Sequence, residues 1–207
     1  MVETIKVLLF DLGNVLVDFD YQVSVERIAR FCVTPPEGII NFFLNSEITS
    51  SFEAGKISPK DFFARTKEAL DLKLSYEAFV PIWNEVFFFS ASNRNAFSLV
   101  NNLRERYKVA MISNINILHH EYLKKHFPVF SIFSKIFLSY ELGLVKPDPL
   151  IYQRTLEELD ARPQEVFYTD DRPELVASAK DLGIQAFVFN GTKQLQTDLL
   201  SAGVRIA

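Results

Sequence analysis

The sequence predicts an α/β fold: a doubly wound parallel sheet with a helical segment inserted after its first strand. Three observations carry that prediction. Short apolar, β-branched runs alternate with stretches of helical spacing through the C-terminal half. Residues 21–88 hold helical periodicity alone, and several apolar runs end in residues able to do chemistry. Strand and helix in strict turn make βα units, which assemble into a parallel sheet.

Residues 5–10 (IKVLLF) show no polar alternation beyond Lys6, as in a strand buried on both faces. The chain then turns on Leu12, Gly13 and Asn14. In the insert, VERIARF, GIINFFL, KDFFARTKEAL and YEAFVPIWNEVFF are punctuated by Pro35, Pro36, Ser58, Pro59 and Ser75 and predict three or four helices. Beyond it, 96–107 predict a helix, 108–112 (KVAMI) a strand, 117–126 a helix and 135–138 a strand. A helix over 149–159 and a strand over 165–168 (EVFY) follow. The helix over 173–182 closes at Gly183, a glycine C-cap, and 184–189 form the last strand. The expected division is 1–17 with 90–207 for the sheet and 18–89 for the insert, hinged near 17–21 and 90–95.

Composition narrows the function classes. A length of 207 residues, 48% hydrophobic and 23% charged, suits one globular domain carrying an inserted subdomain. Net charge −4 with no basic stripe argues against nucleic acid as a partner. Cys32 is the single cysteine, so neither an intrachain disulfide nor a cysteine-rich zinc site is available. The first apolar run is too short for a signal peptide, and no apolar stretch is long enough for a membrane span. The expected location is cytoplasmic. Twenty phenylalanines predict an extensive aromatic core.

In an open parallel sheet, ligands bind outside the carboxyl ends of the strands. The first strand ends in Asp11, KVAMI in Ser113 and Asn114, and EVFY in Thr169, Asp170 and Asp171; the segment after KIFLS leads to Lys146 in GLVKPDP. A carboxylate can attack phosphorus. A hydroxyl and backbone N–H groups near a helix start can hold an anion. Lys146 precedes Pro147, so it sits on a rigid extended turn and can neutralise developing charge. Adjacent carboxylates offer the hard oxygens that magnesium takes. Each group has a plainer reading: a turn-capping aspartate, an N-cap serine, a solvated lysine, a polar loop beside Glu174 as dipole partner. Their convergence on one edge favours chemistry.

The motif DLGNV and the run KPDPLIY…VFYTDDRPELV resemble the haloacid dehalogenase superfamily, most of whose members are magnesium-dependent phosphatases. The likeness is to a bacterial sugar-phosphatase-like branch. It spans nearly the whole chain, with the insert at the place of a type-one helical cap on a Rossmann-like core. The resemblance implies that Asp11 is a nucleophile that forms an aspartyl phosphate, while Ser113, Asn114 and Lys146 hold the phosphate. It implies Mg2+ on Asp11, the Gly13 carbonyl and Asp171, with Asp170 behind, and a small phosphorylated metabolite as substrate.

One departure stands out. The family's first motif is usually D-x-D, whose second aspartate protonates the leaving group; Gly13 can offer a carbonyl but no acid. A positioned acid or base is worth roughly 10²–10⁴-fold. Three readings follow: substrates with good leaving groups such as anomeric sugar phosphates or acyl phosphates, a substitute acid among Asp18, Asp20 and Glu53, or a regulatory module that binds phosphate and turns over poorly. For Glu53 a surface place at a helix end is the plainer expectation, since Gly55 reads as a C-cap. Dehalogenation needs neither the acid nor magnesium, and phosphonate cleavage would take Lys56 or Lys60 as a Schiff-base lysine; phosphatase ranks ahead of both. An electron carrier is opposed by the lack of a glycine-rich loop after the first strand. Trp83 and Phe52 read as packing inside the insert before they read as pocket walls.

Overall fold

The computed structural model describes residues 4–206; the outermost residues of the expected core, 1–3 and 207, lie outside them. Five strands form a parallel sheet: β1 (Val7–Phe10), β4 (Lys108–Ser113), β5 (Lys135–Leu138), β6 (Val166–Asp170) and β7 (Gln185–Val188). Their order is β5-β4-β1-β6-β7, so β1 is central. The pairing of Phe10 with both Met111 and Thr169 brings the ends of β1, β4 and β6 to one edge.

The helices of the sheet region are α6 (Ala91–Leu103), α7 (Ile117–His126), α8 (Ser139–Leu142), α9 (Pro149–Leu159), α10 (Pro173–Asp181) and α11 (Thr192–Ser201). Alternation along β1 decides which layer each strand residue joins. Leu8 and Phe10 pack with Ala96 and Val100 of α6, Leu123 of α7 and Leu195 of α11. Val7 and Leu9 pack with Ile151 of α9 and Val176 of α10 on the opposite face. Every residue of β1 is buried, as its unbroken apolar run requires. Truncating Leu9 or Phe10 to alanine would cost about 2–5 kcal/mol.

Between β1 and α6 lie five α-helices, where spacing predicts three or four: α1 (Tyr21–Ile28), α2 (Pro36–Asn45), α3 (Glu47–Glu53), α4 (Pro59–Ala69) and α5 (Tyr76–Asn84). Ser46 is both the C-cap of α2 and the N-cap of α3, so the periodic run hides the break. These helices bury a core of their own around Trp83, with ring centroids of Phe43 at 4.6 Å and Phe62 at 5.2 Å. Phe52 stacks on Phe62 at 4.3 Å. Phe87 and Phe89 of the VFFF stretch pack instead against the sheet's cluster. Two short strands that the sequence did not announce, β2 (Asp18–Phe19) and β3 (Phe87–Phe88), pair antiparallel where the insert begins and ends. Among the described residues, no helix is long and apolar enough to cross a membrane.

Candidate active site

Asp11 follows β1 directly and is 6% exposed. Its backbone N–H donates to the Thr169 carbonyl at 3.0 Å, so the ladder to β6 carries on past the strand. Lys146 is also buried and reaches across the edge. Its Nζ donates to Asp11 Oδ1 at 2.7 Å and Asp170 Oδ2 at 2.6 Å, with the Tyr168 hydroxyl at 3.2 Å and the Ile112 carbonyl at 3.3 Å. Three ammonium protons thus face four acceptors within the protein.

Asn114 positions that lysine. Its Oδ1 accepts from the Lys146 backbone N–H and its Nδ2 donates to the Lys146 carbonyl, each at 2.8 Å. The side chain assigned to phosphate by resemblance is therefore engaged at both ends on Lys146. The Ser113 hydroxyl lines the cavity and makes no hydrogen bond among the described residues, so it remains a free donor.

β6 extends two residues beyond its expected end, which puts Asp170 in the strand and Asp171 outside it. The two carboxylates face different partners. Asp170 Oδ2 accepts from Lys146 and from the Tyr168 hydroxyl, and Oδ1 accepts from Arg172 N at 3.0 Å. Asp171 Oδ2 accepts from Asn14 Nδ2 at 2.9 Å.

The turn after Asp11 has its left-handed residue at Asn14 (φ 54°), not at Gly13. Gly13 suits a close approach: a β-carbon there would lie 2.9 Å from Phe19 Cε1, so the ring would have to shift. The bonds that join this turn to Val17 run from Val17 N to Leu12 O and from Asn14 N to Val17 O. Both leave the Gly13 carbonyl out.

Burial, the strongest influence, pushes the Asp11 pKa up to about 7, with the Lys146 ammonium opposing and the Asp170 carboxylate adding. Burial pulls Lys146 down, but the Asp11 and Asp170 charges outweigh it and hold it above its ordinary value. Asp170 is raised by burial and lowered further by Lys146, a net fall; Asp171 is raised by burial despite Asn14. Oxygens of Asp11, Asp170 and Asp171 lie within 4.8 Å of one another. Three carboxylates against one ammonium make a hard-oxygen set with excess negative charge, which fits a divalent cation such as Mg2+.

A cavity of about 380 Å³ opens over this edge, reaching from Asp11, Ser113 and Asp171 to Tyr21, Glu53 and His119. Glu53 belongs to its wall and is half-buried, where a surface position was expected. Asp18 accepts from Asn93 Nδ2, and Asp20 caps α1 through Gln22 N; neither lines the cavity. Lys56 and Lys60 are exposed and outside it, and Trp83 and Phe52 are core. Sequence reasoning missed Asn14, Phe19, Tyr168 and Arg172. Only Asn14 carried a signal, since asparagine tolerates left-handed turns.

Comparison with known proteins bears on this geometry. The chain is 25% identical to the D-ribitol-5-phosphate phosphatase of Bacteroides thetaiotaomicron, over 88% of this chain and 91% of that protein. It is 27% identical to the sesquiterpene phosphatase astK of Aspergillus oryzae, over 89% of each. A crystal structure of a B. thetaiotaomicron HAD family enzyme in complex with magnesium and inorganic phosphate superposes with a TM-score of 0.77 at 30% identity, covering 89% of this chain and 93% of that one. The family model described as haloacid dehalogenase-like hydrolase matches residues 5–183. The chain belongs to the haloacid dehalogenase-like hydrolase family.

Proposed function

We propose that this chain is a magnesium-dependent phosphatase that hydrolyses a small phosphate monoester through an aspartyl phosphate on Asp11. The observation that carries the reading is the buried Asp11 carboxylate, fixed through Oδ1 by Lys146, beside two further carboxylates at the end of β6. Asp11 Oδ2 makes no hydrogen bond among the described residues, and it is the oxygen left for attack. Lys146 orients Asp11 and brings positive charge to where the phosphoryl group arrives. The Ser113 hydroxyl and neighbouring backbone N–H groups hold phosphate oxygens; Asn114 serves by anchoring Lys146. Asp11, the Gly13 carbonyl and Asp171 are the residues for Mg2+, with Asp170 behind them; when bound, the cation offsets phosphate charge and keeps Asp11 ionised.

Residues 18–89 are the cap over a core of 1–17 and 90–207. Tyr21, Phe43, Glu53 and Phe87 wall the cavity, so the cap shields the intermediate from solvent and reads the leaving group. The substrate class is a small phosphorylated metabolite, a sugar or sugar-alcohol phosphate in line with the ribitol-phosphate relative. A cytoplasmic location, where such metabolites are made, belongs to the same reading.

Phosphate release from a panel of sugar, acyl and aryl phosphates, with magnesium and with chelator, tests it. Magnesium-dependent release that Asp11→Asn abolishes while the melting transition survives is the expected result. An active Asp11→Asn variant would remove Asp11 as nucleophile.

A further inference from the structure

An alkoxide leaving phosphorus needs a proton, and few groups in the cavity hold one to give. Position 13 offers none, and the edge of the Phe19 ring crowds the place of a β-carbon there. The Lys146 protons are divided among Asp11, just past β1, and acceptors on β4 and β6. His119 has both ring nitrogens engaged, Nδ1 with Asn116 Nδ2 and Nε2 with the Trp83 carbonyl, each at 3.1 Å.

Glu53 is different. It is the last residue of α3, and it lines the same cavity as Asp11, Gly13 and Ser113. Among the described residues, its carboxyl takes part in no hydrogen bond or ion pair. Its backbone, by contrast, is tied to the sheet. Ser139 Oγ donates to the Glu53 carbonyl at 2.6 Å and accepts from Ile115 N at 2.9 Å, which joins the end of α3 to the loop after Ser113. Gly55, in the left-handed region at φ 65°, lies so close to α8 that a β-carbon would run into the Tyr140 carbonyl. The carboxyl interacts electrostatically with Tyr21 of α1 and Arg172 of the loop before α10. Burial raises its pKa to about 7 against the Arg172 charge, so a proton is present near neutrality.

Resting on the phosphatase reading, we infer that Glu53 is the general acid and base of this site, supplying from the cap what position 13 lacks. As Asp11 Oδ2 bonds to phosphorus, the bond to the leaving oxygen breaks and its electron pair stays on that oxygen. The oxygen takes the Glu53 proton and departs as an alcohol. The Glu53 carboxylate then takes a proton from water as the water oxygen bonds to phosphorus and the Asp11–phosphorus bond breaks. Hydrogen phosphate leaves, and Asp11 and Glu53 return to their starting forms.

Wild type and Glu53→Gln are compared with magnesium on glycerol phosphate, an alkyl ester, and on p-nitrophenyl phosphate, whose phenolate leaves without a proton. Glu53→Gln should lose roughly 10²–10⁴-fold on glycerol phosphate. On p-nitrophenyl phosphate it should give a burst of about one equivalent per site, slow turnover, and a phosphorylated protein visible by intact mass. In wild type, glycerol phosphate turnover should fall relative to p-nitrophenyl phosphate turnover as pH rises through 7, a readout independent of whether the variant folds. Equal slowing of the first phosphoryl transfer on both esters, no accumulated phosphoprotein, or a pH-independent ratio would overturn the assignment. A wild type inert on both esters would instead remove the phosphatase reading itself.

Discussion

Phe19 Cε1 stands 2.9 Å from the point where a β-carbon on Gly13 would lie. The acid usual in this motif is thus absent, and the ring edge crowds the place where its β-carbon would sit. Putting it back should therefore fail. Gly13→Asp is expected to cost about 1–3 kcal/mol, as overpacking does, without raising kcat. Adding Phe19→Ala should recover part of that stability. Melting curves and phosphate release on the two variants decide; a faster Gly13→Asp enzyme would show that the ring yields freely.

Lys146 separates two buried carboxylates, those of Asp11 and Asp170. Removing it leaves both uncompensated. Lys146→Met should lower stability by about 3–5 kcal/mol, far more than loss of a surface pair. Denaturant unfolding measures this, and a change under about 1 kcal/mol would mean the cluster is already neutralised by other means.

The acidic set at the ends of β1 and β6 should make stability respond to magnesium. At a hundredfold excess over Kd, ligand linkage adds about 2.7 kcal/mol, or roughly 5–10 °C in Tm for a chain of this size. Asp171→Ala should erase most of that shift without any assay of turnover. An unchanged shift would move the cation away from Asp171.

Two groups give opposite pH signatures. Burial lowers the His119 pKa from 6.5 to about 4, so the unfolded chain binds the proton more readily and stability falls as pH drops from 6.5 towards 4. Glu53 is raised from 4.5 to about 7, so its contribution is full below pH 4.5 and lost as pH rises through 7. Glu53→Gln should therefore stabilise the protein at pH 8, by roughly 2 kcal/mol once partial hydration of the carboxylate is allowed for. His119→Gln should flatten the acid limb. Thermal melts from pH 4 to 8 read both.

The placement of the sheet residues was legible because a parallel sheet has one carboxyl edge. Asp11, Ser113 and Asp170 needed only correct strand ends, and Lys146 a turn that leads back to them. What was not legible is long-range or too short for a period. Asn14 and Asp171 are 157 positions apart, and no spacing announces their bond. The aim of Glu53 depends on Ser139 and Tyr140, which sit on a different element from α3. β2 and β3 have two residues each, too few to alternate. α11 follows Gly191 and opens on a polar run, so its first turn gives no apolar period.

The pairing of Asp18 with Phe88 and Phe19 with Phe87 sets the two crossings into and out of the helical insert side by side. The polypeptide makes a detour and returns to where it left. A segment with adjoining entrance and exit can be shortened, lengthened or exchanged without rethreading the sheet. Selectivity can then change by grafting at this junction while the strand-end residues stay in place. Phe19 belongs to the junction and also covers Gly13, so any graft has to keep that ring.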